Sequence, residues 1–171
     1  MSTYVLVHGA WHTGKELEPV AESIEAAGHT PFTPTIKGNR LEDPRNVGLA
    51  EAIQSIVDYL VLNGLTDLVL VGHSYGGMII TGVADRVPDR IRRLVYWNAF
   101  VPNNGESVDD MLPLQYVELF EAIALERGDD SVVLPFSIWR EAFINDVDLD
   151  TAQRAFRVLR IPSGLSGTRF C

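Results

Sequence analysis

The run Leu68-Val69-Leu70-Val71-Gly72-His73-Ser74-Tyr75-Gly76-Gly77-Met78-Ile79-Ile80 leaves a chain few ways to fold. Its opening residues read as a buried strand, the apolar residues after Gly77 read as a helix, and only one tight corner separates them. A chain that turns from strand to helix within about one residue must hold the corner residue in a strained backbone conformation, which projects its side chain away from the sheet. Gly72 and Gly76, two residues to either side of Ser74, answer the crowding at such a corner. The helix behind Ser74 then aims its first N–H groups and its positive dipole end at any anion formed there. This is the G-x-S-x-G nucleophile elbow, and it makes Ser74 the candidate nucleophile. The other reading is a glycine-rich turn of a nucleotide-binding unit with a bystander serine. That reading needs G-x-G-x-x-G, or G-K followed by Ser or Thr, and neither occurs.

The rest of the first hundred residues alternates strand and helix. Tyr4 to Val7 is a buried-type strand, and the loop His8-Gly9-Ala10-Trp11-His12-Thr13-Gly14 follows. Leu17, Val20, Ala21, Ile24 and Ala27 repeat at helical spacing, with Gly28 as the stop. A short strand fits around Thr30 to Thr33, and Pro31 either weakens it or places it at an edge. Leu49, Ile53, Ile56, Val57 and Leu60 mark an amphipathic helix ended by Asn63-Gly64. A third strand over Asp67 to Val71, the elbow helix over Tyr75 to Arg86, and a fourth strand over Arg93 to Trp97 complete the pattern. Strict alternation predicts right-handed crossovers and a mainly parallel α/β sheet of about four strands flanked by helices.

After Phe100 the pattern becomes helical: Leu114 to Arg127, a stretch around Trp139 to Phe143, and a last helix with Asp150 as N-cap and Gln153 three residues on. Residues 1–100 are therefore expected to form a core, 101–159 a helical cap or lid, and 160–171 an irregular tail. Asp109, Asp110, Asp129 and Asp130 read as solvated helix ends or turns.

A formal net charge of −9 argues against nucleic acid or an anionic membrane as partner. With no membrane-length apolar run and no signal-type opening, the chain reads as cytoplasmic. The only cysteine is Cys171, so no internal disulfide is expected, and the His and Asp residues show no metal-ligand spacing; no metal or cofactor is implied.

Together, Val5-Leu6-Val7-His8-Gly9-Ala10-Trp11-His12 and Gly72-His73-Ser74-Tyr75-Gly76-Gly77 resemble the α/β-hydrolase superfamily, in particular its small serine esterase and hydroxynitrile-lyase group. The resemblance covers about residues 3–159, and its nearest members are soil-bacterial esterases of xenobiotic esters or methyl carbamates, carbendazim hydrolases among them. It implies an α/β-hydrolase fold with a helical cap, and a small-molecule ester or carbamate as substrate. It also implies an oxyanion hole from the backbone N–H groups of Ala10 and Tyr75. Gly9, Trp11, His12 and Trp139 are candidate substrate-binding residues. A cyanohydrin lyase is the second reading, although lyases commonly carry a hydroxyl residue where Ala10 stands. A non-catalytic or defective product is the third.

The departure from the family is in the base. Its order is Ser, acid, His, yet the four histidines here are His8, His12, His29 and His73, all before Ser74. Asn98 stands where many relatives carry an aspartate, and an amide cannot act as the triad carboxylate. No general base or acid is identified. His8 reads as a structural hydrogen-bonding residue, His73 as packed, His29 as a loop residue, and His12 as the least improbable surrogate at the pocket mouth. The expectation is a fold truncated or frame-shifted near Leu159, with a genuine short form as the alternative. The strand Leu94 to Trp97 then becomes an open edge able to self-associate.

Overall fold

The structure, a computed structural model, describes residues 1–44, 46–128 and 131–159. Asp129, Asp130, the tail 160–171 and with it Cys171 lie outside the described residues.

Strand β1 (Thr3–Val7) leads through a 3-10 turn (Gly14–Leu17) into helix α1 (Glu18–Ala26), then β2 (Thr30–Phe32), α2 (Leu49–Leu62), β3 (Leu68–Ser74), α3 (Gly76–Arg86) and β4 (Ile91–Ala99). The helices α4 (Val108–Met111), α5 (Leu114–Arg127), α6 (Phe136–Phe143) and α7 (Leu149–Phe156) follow. The four strands form one sheet in the order β2-β1-β3-β4, and every neighbouring pair is parallel.

Both central strands are sealed: Val5 and Val7 on β1, and Leu68 and Leu70 on β3, have no exposed surface. Ile79, Ile80 and Val83 of α3, with Ile56 and Leu60 of α2, are equally inaccessible and join the same core. Each such aliphatic side chain contributes about 1.5–3 kcal/mol by its burial. Right-handed crossovers from β1 toward β2, and then back across β1 to β3 and β4, put α1 on one face of the sheet and α2 and α3 on the other. The packing of α2 directly against α3 agrees with this.

Four local readings change. The fourth strand is longer than Arg93 to Trp97 at both ends, because the parallel ladder with β3 carries it from Ile91 to Ala99. The third strand starts at Leu68 and runs on to Ser74; Asp67 precedes it in a left-handed conformation (φ 50°), outside the extended region of a regular strand. The last helix is capped by Asp148, whose carboxylate accepts from the Thr151 N–H at 2.8 Å; Asp150 lies within the first turn. The short helix α4, absent from the periodicity, is held by a capping box between Ser107 and Asp110.

The strand order reverses direction between β1 and β3: β1 feeds outward to β2, and β3 feeds the other way to β4. Their loops diverge and leave a crevice above the carboxyl ends of the two strands, the place where open parallel sheets bind ligands.

Candidate active site

Ser74 is the last residue of β3, and its backbone is left-handed, with φ 53°. That conformation is unfavourable for an L-residue by about 1–2 kcal/mol, so packing must impose it. Two contacts do. A β-carbon on Gly72 would lie 2.6 Å from the Gly76 carbonyl oxygen, and one on Gly76 would lie 2.5 Å from the Val7 carbonyl oxygen. The first glycine lets α3 start against β3, and the second lets α3 press onto the end of β1.

The adjoining strand is distorted to match. His73 pairs with Trp97 and Ser74 with Ala99, leaving Asn98 as the extra residue of a bulge, itself at φ 44°. The Phe100 N–H then donates to the Ser74 carbonyl at 3.1 Å, which ties the corner to the exit of β4.

The loop after β1 closes on the corner from the other side. A β-carbon at Gly9 would sit 3.0 Å from Ser74 Cβ, so any other residue would push against the corner by a few tenths of an ångström. His8 anchors the loop: its Nε2 accepts from the Ile36 N–H at 3.0 Å and its Nδ1 donates to the Gly9 carbonyl at 2.8 Å. These two bonds require the neutral Nδ1–H tautomer, and burial pushes the pKa of His8 down to about 4. His8 is thus the structural residue expected, with both ring nitrogens occupied.

Among the described residues, neither the Ala10 nor the Tyr75 backbone N–H has a hydrogen-bond acceptor, and both residues are buried. Such unpaired main-chain donors are rare in folded proteins. Ser74 Oγ likewise has no hydrogen-bond partner among the described residues. His12 donates from Nδ1 to the Ala10 carbonyl at 2.8 Å, which leaves its Nε2 as a free acceptor. His73 stacks on Trp97 with ring centroids 4.9 Å apart, and its pKa is lowered by burial and then by the neighbouring His12.

Two cavities meet at Ser74. The first, about 190 Å³, is bounded by Ala10, Trp11 and Tyr75 on the core side and by Val108, Tyr116 and Phe120 from the later helices. The second, about 570 Å³, takes in Gly9, His12, His73, Asn98 and Trp139. Gly9, His12 and Trp139 therefore border the second cavity only, whereas Trp11 borders both. The Trp11 indole N–H donates to the Val132 carbonyl at 2.8 Å, and its ring meets Phe120 and Phe143 edge to face. His29 is remote from both cavities, packed on Tyr4 and accepting from the Ser2 N–H.

Asp109, expected as a solvated helix end, is half-buried and lines the first cavity. Nothing local in the sequence distinguishes it from Asp110, which faces back into its own helix cap.

The model of the alpha/beta hydrolase family matches residues 4–169. A carbendazim hydrolyzing esterase from Nocardioides is 43% identical over 138 residues, spanning 74% of this chain and 57% of the relative. An alpha-hydroxynitrile lyase from Arabidopsis thaliana is 31% identical over 121 residues, 68% of this chain and 46% of the relative. Among solved structures, an extracellular alpha/beta-hydrolase from a Paenibacillus species superposes with a TM-score of 0.94 at 34% identity, covering 100% of this chain and 70% of that one. The chain spans about half the length of the curated relatives it matches.

Proposed function

The chain belongs to the alpha/beta hydrolase family, whose matching relatives include esterases and hydrolases, and from that premise we propose that Ser74 is the nucleophile of an esterase acting on small carboxylic esters or carbamates. Ser74 Oγ attacks the substrate carbonyl, its proton passes to a base, the alcohol leaves, and water then releases the acid from the acyl-enzyme. The observation that carries this reading is the pair of unpaired N–H groups, Ala10 and Tyr75, beside a serine held at φ 53°. Together they form an oxyanion hole, a device worth about 3–4 kcal/mol per donor in related chemistry.

The aromatic first cavity takes the apolar portion of the substrate; an enclosed apolar space of roughly 150 Å³ accommodates a benzene ring. With all four histidines before Ser74 and no partner on its hydroxyl among the described residues, these 171 residues are expected to acylate slowly and to turn over poorly. His12, which borders the second cavity with Ser74, is the surrogate base in this reading.

A fluorophosphonate probe tests the proposal. Labelling of the folded chain that disappears in Ser74→Ala supports it, and an unlabelled folded chain removes it. The similarity to a hydroxynitrile lyase motivates a second reading, in which the chain cleaves cyanohydrins; cyanide release from mandelonitrile decides it. A folded chain negative in both assays would be the non-catalytic product.

The free side of β4, with Trp97 46% exposed, supports self-association through that edge. The cytoplasmic placement expected from the sequence belongs to this proposal too, alongside a similar structure described as extracellular; fractionation of expressing cells tests it. Among the described residues no helix is long and apolar enough to cross a membrane.

A further inference from the structure

We propose that Asp109 is a specificity-determining residue that selects substrates carrying an N–H donor on the group seated in the aromatic cavity and rejects those carrying a carboxylate there. The proposal rests on the esterase reading of Ser74. Its ground is the composition of the 190 Å³ cavity wall. Ser74, Tyr75, Phe100, Leu112, Tyr116 and Phe120 surround a space to which the described residues present no cationic side chain and one carboxylate, that of Asp109.

A carboxylate in such a wall is unfavourable unless something donates to it. Among the described residues nothing does: Asp109 accepts no hydrogen bond and makes no ion pair. The Trp11 indole N–H, a side-chain donor of the same wall, is already committed to the Val132 carbonyl, and the unpaired Ala10 and Tyr75 N–H groups are the donors set aside for the reacting carbonyl beside Ser74. The charged groups that act on Asp109 are Glu121 of α5 and Asp110 of its own helix, both of like sign. Burial first, then Glu121 and Asp110, push the Asp109 carboxyl above the usual aspartate range. A ligand N–H would meet the one carboxylate that the described wall offers, and a ligand carboxylate placed there would face Asp109 with no cationic side chain of the described lining to offset it.

The effect can be read by binding alone, without turnover. Dissociation constants of the full chain for indole and 1-methylindole, which differ in one N–H, are measured by ligand-observed NMR together with benzoate. Indole should bind about tenfold tighter than 1-methylindole, as for one charge-assisted hydrogen bond. In Asp109→Leu that ratio should fall to about one, with 1-methylindole retained. In Asp109→Asn, which keeps the side-chain size, benzoate should strengthen several-fold relative to 1-methylindole. A ratio near one in the unmodified chain, or relative affinities unchanged in both variants, overturns the proposal. Fluorophosphonate labelling of the same samples separates the two readings: labelled Ser74 without N–H preference sinks only the role of Asp109, and N–H preference without labelling sinks only the nucleophile.

Discussion

His8 is a histidine that the fold allows only in its neutral form, because protonation of Nε2 would break its bond from the Ile36 N–H. Its folded pKa of about 4 lies below the ordinary histidine value of 6.5, so as pH falls the unfolded chain takes up the proton first. This contribution to stability is therefore present above pH 6.5 and is lost progressively as pH falls from 6.5 toward 4, by roughly 3 kcal/mol at most. Urea unfolding at pH 7 and pH 4.5 should show a larger loss for the unmodified chain than for His8→Phe, which should itself be less stable at pH 7 by about 1–3 kcal/mol. Asn98 gives a second residue-level expectation. At φ 44°, Asn98→Gly should be neutral or stabilising, and Asn98→Val should lower stability by about 1–2 kcal/mol, read as shifted denaturant midpoints. Ser74 and its glycines were legible in the sequence because their demands are local: a corner, a missing β-carbon, a helix start. Asp109 was not, because two adjacent aspartates in one short helix look alike until α5 closes a cavity over one of them.

At the scale of elements, α3 is the piece on which the site depends. Gly76→Ala would drive a β-carbon into the Val7 carbonyl, so α3 must retreat from β1. A loss of about 3 kcal/mol is expected, together with loss of fluorophosphonate labelling in whatever protein still folds. The link between the loop after β1 and the later helices is narrower. Trp11→Phe removes the bond to Val132 while keeping most of the ring contact, and should lower stability by about 1 kcal/mol. Faster amide exchange should then be confined to α5 and α6. Element types were readable from periodicity because the central strands β1 and β3 are buried on both faces and α2 carries a clean apolar stripe. Boundaries were less so: the length of β4 follows from its pairing with β3 rather than from its own residues, and either of two aspartates could have capped α7.

On the scale of the whole molecule, the crevice exists because the winding of the sheet reverses between β1 and β3, and alternation along the sequence had already implied a sheet of this kind. Helices α2 and α3 and the later helices share one apolar cluster that runs from Val5 to Ala152. A net charge of −9 opposes contact between copies at low ionic strength. Association through β4 should therefore grow with added salt and weaken in Trp97→Lys, as followed by sedimentation velocity. The bond from Trp11 to Val132 also makes the two walls of the first cavity one mechanical unit. A substrate too large for the space must pry α5 and α6 from the sheet, and in doing so it drags the peptide next to the Ala10 N–H out of register. Oversized substrates would then still dock but react slowly, so discrimination by size would be written in kcat rather than in KM.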